Sequence, residues 1–188
     1  MLIIGITGTI GAGKGTIVDY LVHEKGFNHF SVRSFLLDEI RHRTLPENRD
    51  SMVVVANEMR ENNSPSYITD QLYEQALLKG GNAVIESIRT PGEVFSLRHK
   101  ANFYLFAVDA DPYSRFLRIK KRDSETDRID FPTFLANERR EMDTPDPHKQ
   151  NIRKCIELAD FVFRNDGSLE DLIKKTEMVL LEITKLDH

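Results

Sequence analysis

The sequence predicts an α/β fold in which a parallel β-sheet is flanked by helices. Five short apolar runs predict strands, and they lie at residues 2–7, 27–31, 83–86, 103–108 and 161–163. The segments between them carry helical periodicity, and this alternation is typical of a parallel sheet. A glycine-rich loop follows the first run directly, at the kind of position where parallel sheets hold their ligands.

The glycine-rich loop spans residues 8–16 and reads Gly-Thr-Ile-Gly-Ala-Gly-Lys-Gly-Thr. Its glycines let the backbone wrap around an anion, and the helix that begins here presents its positive end to the same anion. The loop departs from the Walker pattern, because Gly15 stands at the Ser/Thr position and the hydroxyl comes one residue later at Thr16. An ordinary turn is the alternative, which the strand before the loop and the helical pattern after it disfavour. The predicted ATP-binding residues in the loop are Gly8, Gly11, Ala12, Gly13, Lys14, Gly15 and Thr16.

Composition and charge exclude several classes of protein. The net charge of −4 over 188 residues gives no broad attraction to nucleic acid or to an anionic membrane. No apolar run approaches the roughly 18 residues that a membrane span needs, and the start of the chain lacks the basic residues of a secretory signal. We therefore expect a cytoplasmic protein with one domain, residues 1–188. The single cysteine, Cys155, excludes an internal disulfide and fits the apolar side of a helix, and the histidines show no metal-ligand spacing.

Arginines follow two of the predicted strands. Phosphoryl transfer between two anions needs positive charge, in-line positioning and a metal ion, with little covalent help from the protein. Arg89 lies just after the third strand, where it is placed to bind a phosphate and to take part in catalysis, with a surface ion pair as the alternative. Arg33, after the second strand, and Arg60, in a charged helix, are further candidates for binding an acceptor, with an ordinary surface or helix-face role as the alternative for each.

A carboxylate at the end of the third strand predicts a magnesium site. Glu86 ends an apolar strand, the position at which proteins with this kind of loop orient Mg²⁺, often through water. The hydroxyl of Thr16 is the second predicted metal contact. An ordinary acid at a strand end is the alternative for Glu86, and Asp109, at the end of the fourth strand, is a competing carboxylate.

Helix signals divide the rest of the chain. Residues 52–61 predict a helix, because the valine run continues without a turn signal. Ser64 and Pro65 predict the N-cap and first residue of the next helix, which residues 80–81 end, and Asp111 predicts another N-cap. The Pro-containing segment 143–150 predicts an ordered surface loop without an assigned role.

A basic helix predicted from residue 112 to 122 precedes a polar segment. Arg115, Arg118 and Arg122 are three and four residues apart, hence on one helix face. Beside a polar segment, such a face is what a closing lid needs, since a lid brings cations onto the transferring phosphate as water is expelled. Arg122 and Arg128 are the predicted catalytic lid residues, and Arg118 is predicted to contact ATP. A solvated face and a nucleic-acid patch are the alternatives.

These residues resemble the adenylate-kinase-like P-loop kinases, which include the nucleoside monophosphate kinases and dephospho-coenzyme A kinase. The loop 8–16 has the form typical of adenylate kinases, and residues 86–89 look like the family's Asp-Gly-x-x-Arg element, with Glu86 and Ser87 in place of the acid and the glycine and with the arginine one residue earlier, at Arg89. Residues 159–169 are similar to the last strand and turn of dephospho-coenzyme A kinases, near which the adenine lies, and this similarity implies ATP contacts at Asn165 and Gly167.

The resemblance implies a P-loop kinase fold with a five-stranded sheet in the order 2-3-1-4-5. It also implies an acceptor-binding segment at about 31–66 and a short lid at about 122–139. ATP and Mg²⁺ are the implied cofactors. Leu37 stands where adenylate kinases carry an arginine, and Arg33 is the candidate substitute.

The acceptor is inferred from the residues after the second strand. A ribose hydroxyl needs a base, and dephospho-coenzyme A kinases have an Asp-x-Asp element there, whereas Asp38 is the first carboxylate in this chain. A monophosphate is already largely ionised and needs arginines instead. We therefore expect a nucleoside or deoxynucleoside monophosphate kinase. The alternatives are dephospho-coenzyme A kinase, a regulatory module with slow ATPase activity, and nucleic-acid binding through residues 115–122. The expected partners are nucleotide substrates, with no membrane and no nucleic acid, and the expected state is a monomer or a dimer.

Overall fold

The computed structural model describes residues 1–122 and 129–186, and strands and helices alternate along the chain. The strands are β1 (Leu2–Gly8), β2 (Asn28–Ser31), β3 (Ala83–Glu86), β4 (Asn102–Asp109) and β5 (Phe161–Arg164). The helices within these residues are α1 (Lys14–His23), α2 (Val32–His42), α3 (Arg49–Asn62), α4 (Tyr67–Lys79), α5 (Pro91–Lys100), α6 (Pro112–Arg122), α7 (Phe131–Met142), α8 (Ile152–Glu157) and α9 (Leu169–Leu186).

The five strands form one parallel sheet in the order β2-β3-β1-β4-β5, as predicted. The central strand, β1, pairs with β3 and β4, and Ile6 lies opposite both Glu86 and Phe106. The carboxyl ends of β1, β3 and β4 therefore meet at one edge of the sheet. The glycine-rich loop leaves the sheet at this edge.

Alternate residues of β1 enter opposite apolar cores. Ile3 packs with Ile85 and Leu105 in the core beneath the helices α2 to α5 and α8. Ile4 packs in the second core, which contains residues of α1 and α9. A strand that is buried on both faces reads as a continuous apolar run, and this explains why β1 was so clear in the sequence. Cys155 is fully buried in the first core, as predicted.

Most helix predictions are confirmed, and one is wrong. The valine run lies in α3, Gly80 ends α4 with a φ of 72°, and Asp111 accepts a hydrogen bond from the Ser114 N–H at 2.9 Å, as an N-cap does. The start of α4 differs from the prediction, since its N-cap is Ser66 rather than Ser64.

A tertiary contact explains the later start of α4. Pro65 packs beside Gly92 at the start of α5, where a Cβ on Gly92 would come within 2.7 Å of the proline ring. The Pro65 carbonyl accepts a hydrogen bond from the Thr90 hydroxyl at 3.0 Å. Pro65 is thus part of a turn against α5, and the helix begins only after it. Among the helices that the structure describes, none is long and apolar enough to cross a bilayer.

Candidate nucleotide and acceptor site

A cavity of about 470 Å³ lies at the carboxyl edge of the sheet, between the glycine-rich loop, α2, α3 and α6. Many of the predicted site residues line it, namely Gly11, Ala12, Gly13, Lys14, Gly15, Thr16, Arg33, Arg60, Glu86, Arg89, Arg118 and Arg122. Gly8, Asn165 and Gly167 do not line it. Arg128 lies outside the described residues.

Three glycines of the loop are required by its geometry. Gly8, Gly11 and Gly13 have positive φ angles of 131°, 75° and 101°. A Cβ on Gly13 would lie 2.3 Å from Nδ2 of Asn165, and one on Gly8 would lie 2.0 Å from the Val108 carbonyl oxygen. Gly15 is different, because a Cβ there meets no atom within 4 Å. The loop backbone therefore needs its first three glycines, and Gly15 leaves open space at the Walker Ser/Thr position.

Two polar residues outside the glycine-rich loop form hydrogen bonds that stabilise it. Asn165 is buried and donates from Nδ2 to the Ala12 carbonyl at 2.8 Å. Asp109 accepts a hydrogen bond from the Thr9 hydroxyl at 2.7 Å and lies 3.2 Å from Nη1 of Arg164. Asp109 does not line the cavity. This carboxylate, which competed with Glu86 as a metal contact, thus stabilises the loop.

Lys14 folds back over the loop. Its ammonium group donates to the Gly8 carbonyl at 3.0 Å and to the Thr9 carbonyl at 2.7 Å. Burial, together with the positive charge of Arg89, lowers the pKa of Lys14 to about 7, although Glu86 opposes this change. An anion in the cavity would favour the charged form of this lysine.

Glu86 is held in its ionised form. Its carboxylate accepts a hydrogen bond from the Ser31 hydroxyl at 3.0 Å and lies 3.8 Å from Nε2 of His29. Burial raises the pKa of Glu86, but His29, Ser31 and the charge of Lys14 outweigh burial and leave the pKa below its ordinary value.

The available donors fit magnesium that is carried by a nucleotide. The described residues contain no cluster of three or more His, Cys, Asp or Glu side chains that could hold a metal ion alone. Mg²⁺ takes one or two protein oxygens together with substrate phosphates and water. Thr16 and the ionised Glu86 both line the cavity and supply oxygens of this kind.

The basic residues of α6 have different roles. Arg115 is buried, donates from Nε to the Ala110 carbonyl at 2.8 Å and places its guanidinium over the Phe134 ring. Its Nη1 lies 2.6 Å from Glu138 of α7. Arg115 therefore joins α6 to α7 and does not share the exposed basic face that the spacing predicted. Arg118 and Arg122 do line the cavity.

Arg60 is fully buried and only partly hydrogen-bonded. Its Nε and Nη2 donate to Oε1 of Glu93 at 3.2 and 2.8 Å. Its Nη1 is also buried, and no described residue provides it with a hydrogen-bond partner. Arg60 lines the cavity, so this nitrogen is a candidate ligand for an anionic substrate.

Arg89 is fixed through both its side chain and its backbone. Nη1 donates to Oε2 of Glu141 at 2.8 Å and to Oε1 of Gln150 at 3.0 Å. The Arg89 N–H donates to Oε2 of Glu93 at 2.7 Å, and its carbonyl accepts from the Asn151 N–H at 2.8 Å. The segment 143–150, which had no predicted role, thus ends at a residue that positions Arg89.

Arg49 and Glu141 line the cavity but were missed by sequence analysis. Nε of Arg49 donates to Oε1 of Glu141 at 3.0 Å, and its Nη2 contacts the same oxygen. Burial raises the pKa of Glu141, but Arg89 and Arg49 outweigh burial and keep the pKa below its ordinary value. No local motif could have indicated this pair, because 92 residues separate its members.

Ser87 adopts a left-handed backbone conformation, with a φ of 68°. It lines the cavity directly after Glu86 and holds the position where the Asp-Gly-x-x-Arg element has glycine. A residue with a Cβ is strained in this conformation. Ser87 therefore adopts a backbone conformation that glycine would adopt with less strain.

The sheet order and the phosphate loop at its carboxyl edge define the P-loop kinase fold. Solved structures of two kinases have a similar fold. A shikimate kinase from Bacteroides thetaiotaomicron has a TM-score of 0.58 at 12% identity over 95% of this chain and 98% of that one. A gluconokinase from Sinorhizobium meliloti also has a TM-score of 0.58 at 12% identity, over 97% and 91%. At such identities, the similarity shows the fold alone.

The chain belongs to the AAA domain family, whose model matches residues 4–145, and to the UPF0200 proteins. A UPF0200 protein of Methanocaldococcus jannaschii is 30% identical over 186 residues, which cover 97% of this chain and 91% of that protein. A UPF0200 protein of Pyrococcus abyssi is 24% identical over the full length of both chains.

Proposed function

We propose that this protein transfers the γ-phosphate of ATP to a nucleoside or deoxynucleoside monophosphate. One observation carries the proposal: Arg60 lines the cavity that contains the phosphate loop, and its buried Nη1 has no hydrogen-bond partner among the described residues. An unpaired buried donor is costly, and a phosphate oxygen would satisfy it. Arg89 lines the same cavity and supplies a second guanidinium.

Asp19, Glu86 and Glu141 are the described carboxylates that line the cavity, and the two glutamates argue against a hydroxyl acceptor. A hydroxyl is activated best by a base whose pKa lies near the working pH. Glu86 and Glu141 both have pKa values below the ordinary value for a glutamate, so both are weak bases. Arg33 lies just after β2, where a base for a ribose hydroxyl would be expected, and it is exposed to the cavity.

An apolar surface lies beside these arginines. Leu36 of α2 and Met52, Val53 and Ala56 of α3 line the same cavity. Ligand sites of this kind combine an apolar wall with a few polar groups that fix orientation. A nucleoside monophosphate has a base and sugar for the apolar wall and a phosphate for the arginines.

The proposal assigns the predicted residues to groups by role. The loop amides and Lys14 bind the ATP phosphates, and Arg118 lies on the ATP side. Asn165 acts through its hydrogen bond to the loop, and Gly167 follows it in the same turn. Arg89 and Arg122 stabilise the charge of the transferring phosphoryl group, a role that Arg128 shares.

Magnesium would be held by Thr16 and Glu86, where it would neutralise phosphate charge. Arg33, Arg60 and Arg89 bind the acceptor. The catalytic residues are thus Lys14, Arg89, Arg122 and Arg128.

The proposal is tested by incubating the protein with γ-labelled ATP and Mg²⁺ against a panel of ribo- and deoxyribonucleoside monophosphates and dephospho-coenzyme A. We expect the label in a nucleoside diphosphate. Label only in coenzyme A would mean that the acceptor is dephospho-coenzyme A and not a nucleoside monophosphate. Label only in free phosphate would indicate a regulatory module with slow ATPase activity.

A matched pair of variants tests the acceptor side. Arg89→Ala should raise the acceptor KM by roughly tenfold or more, because it removes a charged ligand of the phosphate. Arg98→Ala, which removes an arginine paired with Asp160 outside the cavity, should leave that KM unchanged. An unchanged acceptor KM in Arg89→Ala would contradict the role of Arg89.

A further inference from the structure

We propose that Glu141 is a positioning residue that holds Arg49 and Arg89 as a paired clamp for the acceptor phosphate. The inference rests on the proposed function and deepens it, since it adds Arg49 as a ligand and assigns a role to α7. Glu141 itself does not bind the substrate. Its part is to fix two guanidinium groups before the substrate arrives.

Each carboxylate oxygen of Glu141 accepts hydrogen bonds from a different arginine. Oε1 accepts from Arg49, at the start of α3, and Oε2 accepts from Arg89, after β3. The Glu141 side chain is only 8% exposed, and both arginines are at most about one quarter exposed. Three separate elements, α3, α7 and the end of β3, therefore meet at one buried carboxylate.

Each arginine keeps part of its guanidinium for another ligand. Both side-chain hydrogen bonds of Arg89 use Nη1, and the described residues provide no hydrogen bond to its Nε or Nη2. The bonds of Arg49 use Nε and Nη2, and Nη1 has no such partner among the described residues. Both arginines line the cavity, so the remaining nitrogens can serve an anion there.

A similar arrangement occurs at Arg60. Glu93 accepts hydrogen bonds from its Nε and Nη2, its Nη1 has no hydrogen-bond partner among the described residues, and Arg60 lines the cavity. Two buried glutamates thus position three arginines. Each of these arginines has at least one guanidinium nitrogen without a hydrogen-bond partner among the described residues. A phosphate has several acceptor oxygens and can bind such a set at once.

Positioning of this kind favours binding for two physical reasons. Arginine side chains lose much rotamer freedom when they are ordered, and an arginine that is ordered in advance does not lose it on binding. Two guanidinium groups also repel each other, and the carboxylate between them offsets this repulsion. The pair with Glu141 keeps a net positive charge for the acceptor.

The second contact between α7 and α3 has a different character. Arg140 lies 3.4 Å from Asp50, and the Asp50 side chain is 82% exposed. Exposed pairs of this kind contribute little. Asp50→Asn is therefore a matched control, since it removes one negative charge beside Arg49 without touching the buried contact.

The test uses the full chain and equilibrium binding of AMP, CMP, GMP and UMP, each compared with its own nucleoside by calorimetry. For the monophosphate that binds wild type best, Glu141→Gln should weaken binding by about tenfold or more, because two arginines lose their fixed positions. Its nucleoside and a non-hydrolysable ATP analogue should bind as before. Asp50→Asn should match wild type, and Glu141→Asp, which keeps the charge, should recover part of the loss.

Kinetics provide the second measurement. Glu141→Gln should raise the acceptor KM much more than it lowers kcat, and a circular dichroism melt checks that each variant is folded. If wild type prefers monophosphates to nucleosides and Glu141→Gln binds them equally well or more tightly, the positioning role is wrong. If wild type shows no preference for monophosphates, the proposed function fails, and the inference fails with it.

Discussion

Nη2 of Arg60 donates to Oε1 of Glu93 at 2.8 Å, and both side chains are fully enclosed by protein. The other oxygen of Glu93 accepts the N–H groups of Arg89 and Thr90, at 2.7 and 3.0 Å. Glu93 belongs to the capping box at the start of α5. One buried carboxylate therefore stabilises the start of a helix and positions two arginines of the cavity.

Arg60→Met should destabilise the protein by about 3–5 kcal/mol, because it removes the guanidinium that pairs with the buried carboxylate of Glu93. The free energy of unfolding can be measured by urea denaturation. Arg41→Ala, which breaks an exposed pair with Glu47, is the control and should change stability far less. Equal losses in the two variants would contradict the special cost of the buried pair.

Ser87→Gly should stabilise the fold by about 1 kcal/mol, because glycine removes the strain of a left-handed residue. Ser87→Ala keeps the Cβ and should bring no such gain. Thr44 also has a positive φ, of 57°, and does not line the cavity. Thr44→Gly should therefore raise the free energy of unfolding in the same way as Ser87→Gly. Denaturation of the three variants tests the account, and a gain in Ser87→Ala equal to that in Ser87→Gly would exclude backbone strain as its cause.

Gly13→Ala should weaken ATP binding by roughly tenfold or more, since the loop must deform to receive the new methyl group. That methyl group would lie 2.3 Å from Nδ2 of Asn165, which holds the Ala12 carbonyl. Gly15→Ala is the matched substitution one residue past Lys14 and should bind ATP nearly as wild type does, because its methyl group meets open space. Calorimetry with a non-hydrolysable ATP analogue compares the two, and equal losses would contradict the loop geometry.

ATP affinity should fall as the pH rises above about 7, because the free protein then loses the charge of Lys14, whose pKa burial lowers to about 7. Bound phosphates raise that pKa, so below 7 the lysine is charged in both states and contributes no pH dependence. Above 7, affinity should fall by at most about tenfold per pH unit until the pKa of the complex is reached. Lys14→Arg stays charged and controls for the titration of ATP itself. An identical pH profile in both proteins would contradict the role of Lys14.

The fold was readable from the sequence because each strand was an apolar run followed by a polar end. Lys14, Glu86 and Arg89 were identified for the same reason, since all three lie in or just after such ends, and all three line the cavity. The phosphate loop was clear because glycine, lysine and threonine stand together in one short segment. The residues that form these features are close together in the sequence, so the features can be recognised without knowledge of the tertiary structure.

Residues that act across long sequence separations were not readable. Arg49 and Glu141 are ordinary charged helix residues until the fold brings them together. Arg115 shared a helix face with Arg118 by spacing, yet packing against Phe134 buries it, and spacing alone does not say which side of a helix is covered. The start of α4 was misplaced because the contact of Pro65 with α5 depends on tertiary structure.

A kinase of the proposed kind binds two anions in its cavity and transfers a phosphoryl group from one to the other. The most direct test is a phosphorus NMR mass balance of the protein with ATP, Mg²⁺ and the monophosphate that binds best. We expect one ADP and one acceptor diphosphate for each ATP consumed, with no free phosphate. ATP consumption that yields free phosphate and leaves the monophosphate unchanged would contradict it.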